Sequence, residues 1–329
     1  MSALKRVSLG LCVAVVCAVS AQAQSDIMFW LDPSLDEFRV HAEYEGVFHL
    51  EDDLSDYPGD LDMNQHDLRL AVPLYKDDDH FFAVSASLGY WDVDSDSPLP
   101  DTGAAFPSDL YDIDLSLNYF HYFDNGWTAG GIMSAGSPSD EPFNSYDETE
   151  LQFNGFLRIP HVDNNYWVFI LNWSNNREFL NDIPIPGFGY WYEPSDDLFI
   201  MAGIPFVALR WRPIEDVTIR ASYIPVRNID AEIAYSVTDQ IEIFGAFEWE
   251  NDRFLIADRA DDDDRLFYYE KNLEAGVRYR FSEMASVQIG GGYSFDRFFF
   301  FGEDYDDRGD DRLDIEDGPF VRTQVTMRF

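Results

Sequence analysis

Residues 111–119 read YDIDLSLNY and alternate strictly between apolar and polar side chains. The odd positions hold tyrosine, isoleucine and leucine, whereas the even positions hold aspartate, serine and asparagine. Because successive side chains of a β-strand point to opposite faces of the sheet, this stretch predicts a strand with one apolar and one polar face.

The same two-residue period recurs along the chain after residue 35, and no helical period competes with it over comparable lengths. The alternating segments are 38–45, 68–74, 82–90, 111–119, 151–158, 217–223, 241–249, 267–281 and 321–329. The sequence therefore predicts an all-β chain.

Short and long connections alternate between these segments. The short turns are at 76–79, 124–126, 161–165, 213–216, 237–240 and 281–285. The connections between them are at 50–63, 91–108, 136–147, 174–197, 225–229, 250–265 and 299–317, all of them long except 225–229. This pattern is typical of a transmembrane antiparallel up-and-down β-barrel with periplasmic turns and external loops.

The connections predict about 14 strands, with 12 and 16 as alternatives. The alternatives stay open because segment 198–209 is apolar on both faces and contains Pro205, which cannot donate a ladder hydrogen bond. Either a buried hairpin or packing against an inserted loop would account for this segment.

Aromatic residues concentrate near the predicted strand ends, as expected of girdles at the two membrane interfaces. Those near the short turns and the C-terminus are Tyr75, Phe82, Phe123, Trp127, Tyr166, Trp167, Trp211, Phe281 and Phe329. Those at the opposite ends are Phe48, Tyr90, Trp91, Tyr111, Trp173, Trp249, Phe267, Phe295 and Phe298.

The N-terminus has the organisation of a secretory signal. Lys5 and Arg6 precede an apolar stretch at 7–19, and Ala21-Gln22-Ala23 forms a small-x-small cleavage site. We therefore expect a signal peptide at 1–23, an N-terminal periplasmic segment at 24–35, and an outer-membrane β-barrel at 36–329. Both cysteines, Cys12 and Cys17, lie in the signal, so the mature protein is expected to lack thiols.

The chain is strongly acidic, with a formal net charge of −40. Nucleic acid is therefore not an expected partner, because phosphate binding requires a basic surface. Divalent cations are a candidate partner of the acidic loops, but the spacing matches no EF-hand, so solvated loops remain the simpler interpretation. The acidic segments in the long connections are 51–56, 92–97, 139–141, 193–197, 261–264 and 303–314.

The six histidines are scattered, and their spacing gives no zinc motif. His49 and His66, beside Asp52, Asp53 and Asp67, are the only candidates for hydrolytic chemistry. Because neither a nucleophile elbow nor a serine adjacent to a histidine accompanies them, we expect no enzymatic activity, no metal centre and no cofactor.

The polar faces of the predicted strands are expected to point into the barrel lumen. They carry both signs of charge, which fits either a hydrated channel or a closed core of ion pairs, and the expected width favours a channel. The candidate lumen-facing residues are Arg39, Glu43, Arg69, Asp112, Asp114, Arg158, Arg220, Glu242, Glu270, Glu274, Arg278, Arg280, Arg322 and Arg328.

The last strand, 321–329, resembles the C-terminal targeting strand of bacterial outer-membrane β-barrels, with alternating apolar residues and a terminal Phe329. The resemblance implies that Phe329 is an assembly signal read by the barrel-assembly machinery. Met327 departs from the aromatic residue often found at that position. The stretch from Gly187 to Phe300, which contains GIPFVALRWRP and AEIAYSVTDQIEIFGAFEW, resembles an uncharacterised family of predicted outer-membrane barrels and implies no activity.

Three functions follow in order of preference. The first is a passive, porin-like pore that favours cations, embedded in outer-membrane lipid. The second is a non-conducting surface protein whose acidic loops bind divalent cations or a partner. The third is an outer-membrane hydrolase.

Overall fold

The computed structural model describes residues 38–50, 53–55, 59–100, 102–177, 180–225, 227–257, 259–309 and 312–329. The predicted signal peptide at 1–23 and the segment at 24–35 lie outside these residues. The strands are β1 (His41–His49), β2 (Leu61–Lys76), β3 (His80–Ser95), β4 (Asp109–Tyr122), β5 (Thr128–Ser139), β6 (Glu150–Pro160), β7 (Tyr166–Ser174), β8 (Ile185–Ser195), β9 (Leu198–Ile204), β10 (Val207–Ile214), β11 (Val217–Ile224), β12 (Asn228–Ser236), β13 (Ile241–Phe254), β14 (Arg265–Ser282), β15 (Ala285–Gly302), β16 (Arg312–Ile315) and β17 (Gly318–Arg328).

The strands form one closed antiparallel barrel. Each strand from β1 to β15 pairs with its neighbour along the chain, β15 pairs with β17, and β17 pairs with β1 to close the ring. The short β16 pairs only with the loop end of β15 among the described strands, so 16 strands form the wall. The predicted fold class is confirmed, and the strand number is the larger of the two alternatives.

Two additional strands occur where the sequence pattern is least regular. The predicted long connection 174–197 contains β8 and a tight turn before β9, and the apolar segment 198–209 forms the hairpin β9–β10 around a cis Ile204–Pro205 bond. Inward-facing Phe199, Met201 and Ala208 pack in an apolar cluster with residues of β7, β8 and β11. This packing explains why the segment is apolar on both faces.

The predicted alternation of connections is confirmed. All six predicted short turns lie at one end of the barrel, together with the turn between β8 and β9 and the pairing of residue 40 with Phe329. The connections between β1 and β2, β3 and β4, β5 and β6, and β13 and β14 all lie at the other end. We call these the turn end and the loop end.

Solvent exposure along the strands is the reverse of that in a water-soluble sheet. On β4, Leu115 and Leu117 are 55% and 47% exposed, whereas the alternating Ser116 and Asn118 are 2% and 0% exposed. An apolar outer face and a polar inner face are the arrangement of a barrel that contacts lipid. Similarly exposed apolar residues on other strands are Leu68, Leu88, Met133, Phe153, Phe169, Phe188, Ile233, Ile243, Leu273, Val277, Ile289 and Met327.

The aromatic girdle forms at the turn end and only partly at the loop end. Seven of the nine aromatics predicted for the turn end are exposed: Tyr75, Phe123, Trp127, Trp167, Trp211, Phe281 and Phe329. At the loop end, Trp91, Phe267 and Phe298 are instead buried in apolar clusters. None of the described residues forms a helix long and apolar enough to cross a membrane.

Phe329 closes the ring at the turn end. Its amide donates to the carbonyl of Val40 at 2.9 Å, and its carbonyl accepts from the amide of Val40 at 2.7 Å. An open sheet edge in lipid leaves backbone groups unpaired, and each unpaired group costs several kcal/mol.

Deleting Phe329 is therefore expected to lower the amount of folded barrel in membranes severalfold. The heat-modifiable band on electrophoresis measures this amount, and truncating the exposed Tyr75 side chain at the same end to alanine is the matched control. A normal level of folded barrel after deletion of Phe329 would contradict the assembly role.

Candidate functional site in the barrel lumen

The inward faces of the strands enclose a polar cavity of about 1050 Å³ that begins at the turn end. The β14–β15 turn at 282–285 lines its entrance, and Trp91 and Phe254 lie at its deep end. Ten of the predicted lumen residues line this cavity: Glu43, Arg69, Asp112, Asp114, Arg220, Glu242, Arg278, Arg280, Arg322 and Arg328.

The other four predicted residues lie elsewhere. Glu270 and Glu274 are buried in the wall, where Glu270 lies 3.7 Å from Arg297 and Glu274 lies 3.3 Å from Arg322. Arg158 stacks over the ring of Tyr166 at 4.8 Å. Arg39 is exposed, just before β1 begins.

Ion pairs connect neighbouring strands around the turn-end half of the cavity. Arg278 of β14 donates to Glu232 of β12 at 2.8 Å and also to Glu242 of β13. Glu232 in turn accepts from Arg220 of β11. These cross-strand contacts pair Arg220 and Arg278 with carboxylates in the wall of the cavity.

An apolar cluster closes the loop end of the lumen. It combines inward residues of β2, β3 and β4 with residues of β13, β14, β15 and β16. Its members are Leu54, Leu61, Met63, Trp91, Val93, Leu99, Leu110, Phe254, Ile256, Leu266, Tyr268, Phe299, Phe301, Leu313 and Ile315. Because Trp91 and Phe254 also line the polar cavity, this cluster forms its roof.

The connection between β13 and β14, described at residues 255–257 and 259–264, is bound to the opposite wall. In the ring of 16 strands, β13 and β5 are eight positions apart and thus face each other across the lumen. Nevertheless, the amide of Leu255 donates to the carbonyl of Pro138 at 2.7 Å, and the amide of Ala257 donates to Asp140 at 2.7 Å. We call residues 255–264 the crossing loop.

Two ion pairs fasten the crossing loop and its base. Arg253, at the end of β13, donates two hydrogen bonds of 2.8 and 2.9 Å to Glu150 of β6, and both side chains are almost fully buried. Arg259 donates to Glu148 at 3.0 Å, with both side chains again buried. Buried charge pairs with several hydrogen bonds hold a single arrangement, because losing one partner leaves an uncompensated charge.

The loop electrostatics favour this closed arrangement. Burial raises the pKa of Glu148, but hydrogen bonds from Ser145 and the nearby Arg259 guanidinium outweigh it and hold the pKa below its ordinary value. Glu148 is therefore an anion at neutral pH. Asp264 opposes the closed arrangement, because partial burial and the neighbouring Asp261 and Asp307 raise the pKa of its carboxyl.

The proposed histidine pair is not assembled. His49 is buried on the inner face, with Nε2 4.0 Å from Glu270. His66 lies opposite Gly46 on the neighbouring strand and therefore faces the other side of the sheet. There its Nδ1 atom and the Tyr44 hydroxyl form a hydrogen bond of 2.9 Å. The two rings thus cannot act on one substrate.

The ion pairs that fasten the crossing loop have no counterpart in the sequence pattern. Glu150 directly precedes the predicted strand at 151–158, but Arg253 lies 103 residues further along the chain, and no local pattern connects them. Several charged residues surround both positions, at 147–150 and 248–253, so the sequence gives no signal that singles out this pair.

Solved structures similar to this chain include three outer-membrane transport proteins. The COG4313 outer membrane channel from Pseudomonas putida F1 is 13% identical, with a TM-score of 0.36, over 88% of this chain and 95% of that one. The Pseudomonas putida toluene transporter TodX is 8% identical, with a TM-score of 0.38, over 89% of each chain. The KdgM porin, solved with disordered oligogalacturonate, is 10% identical, with a TM-score of 0.31, over 88% of this chain and 99% of that one.

At these identities the likeness concerns the general fold alone. The comparison with curated proteins gives no match. The sequence model of one protein family, described as Domain of unknown function (DUF6268), matches residues 19–305, and the chain therefore belongs to that family.

Proposed function

We propose that this protein is a passive pore of the outer membrane for small solutes, that it favours cations, and that the crossing loop closes its external mouth in the conformation described. The observation that carries the proposal is the polar cavity of about 1050 Å³ inside a closed barrel with an apolar outer face. A barrel that served only as an anchor would not need a hydrated interior of mixed charge.

The location follows from three features. The exposed apolar band requires lipid, the predicted signal peptide directs export, and a β-barrel has no unpaired strand edge that would be costly in a membrane. Export places the turn end on the periplasmic side and the loop end outside.

Cation preference follows from the distribution of charge. The loops carry dense carboxylates, including Asp261 to Asp264, whereas most lumenal arginines have carboxylate partners within the wall. Paired charges project little net field, so the negative external mouth should dominate and enrich cations near the entrance.

Reversal potentials in a salt gradient test this preference. We expect clear cation selectivity at low salt and much weaker selectivity at 1 M, because the screening length falls from about 30 Å at 0.01 M to about 3 Å at 1 M. Replacing Asp261 to Asp264 with asparagine should reduce the preference at low salt, whereas Asp77→Asn at the turn end should leave it unchanged. Anion selectivity, or selectivity equally strong at 1 M, would contradict the role of the loops.

A second function is favoured by one specific observation. The apolar roof and the crossing loop would suit a non-conducting barrel that displays acidic loops to cations or a partner. Such a barrel predicts no conductance even after the crossing loop is removed, whereas a pore predicts conductance. The third function, hydrolysis, loses its candidate pair because His49 and His66 face opposite sides of the sheet.

A further inference from the structure

Two histidines meet on the outer face of the barrel at the turn end, apart from the lumen. His80 begins β3, and the register places it directly opposite His121 of β4. Because the next residue, Phe81, is buried on the inner face, His80 points outward. The amide of Tyr122 donates to the carbonyl of Asp79 at 2.8 Å, so the adjacent pair of His80 and His121 exchanges no ladder hydrogen bonds. Opposite side chains of an antiparallel sheet are closest at such pairs.

The two imidazole rings are close together and are held in place by neighbouring aromatic side chains. Their Nδ1 atoms lie 3.3 Å apart, and their ring centroids lie 4.8 Å apart. The Nδ1 atom of His80 also lies 2.8 Å from the Tyr119 hydroxyl, and the ring of Phe123 packs edge-on against His121 with 4.2 Å between the centroids. Both histidines are partly exposed, so ions in solution can reach them.

The separation of the two nitrogens fits a shared metal ion. Zinc binds histidine nitrogen at about 2.0–2.1 Å in tetrahedral geometry, so two nitrogens on one zinc ion are about 3.3–3.4 Å apart. As a hydrogen-bonding atom, Nδ1 of His80 carries either one proton or one lone pair. It can therefore serve only one of its two close partners, His121 and the Tyr119 hydroxyl, with a well-directed hydrogen bond. One cation between the nitrogens would use the lone pairs of both rings.

The adjacent turn raises the local concentration of cations. Asp77, Asp78 and Asp79 directly precede His80 in the chain. The Asp77 carboxylate is fixed at this turn, where it accepts hydrogen bonds from the amides of Asp79 at 3.0 Å and His80 at 2.7 Å. Three carboxylates beside a pair of imidazoles create a negative potential that favours the binding of a divalent ion.

We propose that His80 and His121 bind a divalent transition-metal ion of the zinc or copper type at the turn end, with water completing its coordination. Imidazole nitrogen is a preferred ligand of these metals, whereas calcium and magnesium prefer oxygen. The spacing of histidines along the sequence could not indicate this site, because the two residues are 41 positions apart. The bound ion would link β3 to β4. Because the site lies on the outer face, it does not depend on the pore proposed above.

Calorimetric titration of the folded, untagged mature chain in detergent with Zn²⁺ tests the proposal. Excess Mg²⁺ in the buffer competes for the exposed carboxylates of the loops, because Mg²⁺ prefers oxygen ligands. We expect one saturable site, weakened at least about tenfold by His80→Gln or His121→Gln, because each change removes a ligand. The matched control is His161→Gln, which replaces a single histidine at the same end, 2.9 Å from the Tyr190 hydroxyl, and should keep the site.

Electron paramagnetic resonance of bound Cu²⁺ gives a second readout, which a purely structural histidine pair would not supply. The spectrum of the wild-type chain should show coupling to imidazole nitrogen, and the double variant His80→Gln with His121→Gln should lose it while heat modifiability shows that the variant is folded. No saturable Zn²⁺ binding by the wild-type chain, or an equal loss in His161→Gln, would overturn the proposal. Loss of binding only when the aspartates at 77–79 are replaced with asparagine would also overturn it, since carboxylates alone would then hold the ion.

Discussion

Deleting residues 256–263 is expected to raise solute flux through the barrel by at least about tenfold. In the wild-type chain the buried contacts should stabilise the closed position of the crossing loop by several kcal/mol, and each 1.4 kcal/mol lowers the fraction of open barrels tenfold. The deletion removes the Arg259 contact with Glu148 and the Ala257 contact with Asp140. It also withdraws Ile256 from the apolar roof. Leu255 and Asp264 would then connect β13 to β14 as a short hairpin turn.

Swelling of liposomes in a neutral sugar measures this effect. Arg259→Ala keeps the loop length but removes its buried anchor, so it should give an intermediate increase in flux. Lys271→Ala removes an exposed pair with Asp296 on the outer face and should behave as wild type. A folded deletion variant with wild-type flux would show that the crossing loop does not close the lumen.

The second large effect is expected at the base of the crossing loop. Arg253→Ala should lower the free energy of unfolding by about 3–5 kcal/mol, because it leaves the buried Glu150 carboxylate without its cation. The carboxylate of Glu150 also accepts a hydrogen bond from the Ser174 hydroxyl at 2.9 Å. Because this hydroxyl is neutral, it cannot replace the positive charge of Arg253.

Urea unfolding of the barrel in lipid vesicles checks this value. The double variant Arg253→Met with Glu150→Met replaces both charges by apolar groups of similar length and should be close to wild type in stability. Lys271→Ala, at an exposed pair, should cost no more than about 1 kcal/mol. A loss that small for Arg253→Ala would mean that the buried pair does not fasten the two walls.

The fold was largely predictable because its pattern is local. The alternation in residues 111–119 gives the strand, its inner face and its outer face, and the positions of the short turns give the order of strands. β8, β9 and β10 were harder to predict because the lumen beside them is apolar. Without a polar inner face, the alternation of apolar and polar residues disappears. One extra strand is therefore hidden in the predicted connection 174–197, and the other in the apolar segment 198–209.

The candidate site was only partly predictable. Inward residues such as Asp112 and Arg278 follow from strand phase, and the structure puts both in the cavity wall. Closure of the loop end depends on contacts between residues far apart in the chain, such as Arg259 and Glu148, separated by 111 positions. The aromatic residues at the loop end predict a membrane girdle, whereas Trp91 and Phe267 pack in buried apolar clusters.

The carboxylates of Asp230 and Glu248, on neighbouring strands, show the same limit. Strand phase places each residue on an inner face, but only the register of β12 against β13 brings them together. Register depends on the turn between the strands and on packing, and a shift of one residue would separate the carboxylates.

Single-channel recording of the refolded mature chain, with and without residues 256–263, decides between a pore and a non-conducting barrel. We expect brief, infrequent conductance steps for the wild-type chain and long-lived open steps of the same ion preference for the deletion variant. Absence of conductance from both chains, each shown to be folded by heat modifiability, would contradict a pore and favour the non-conducting surface protein.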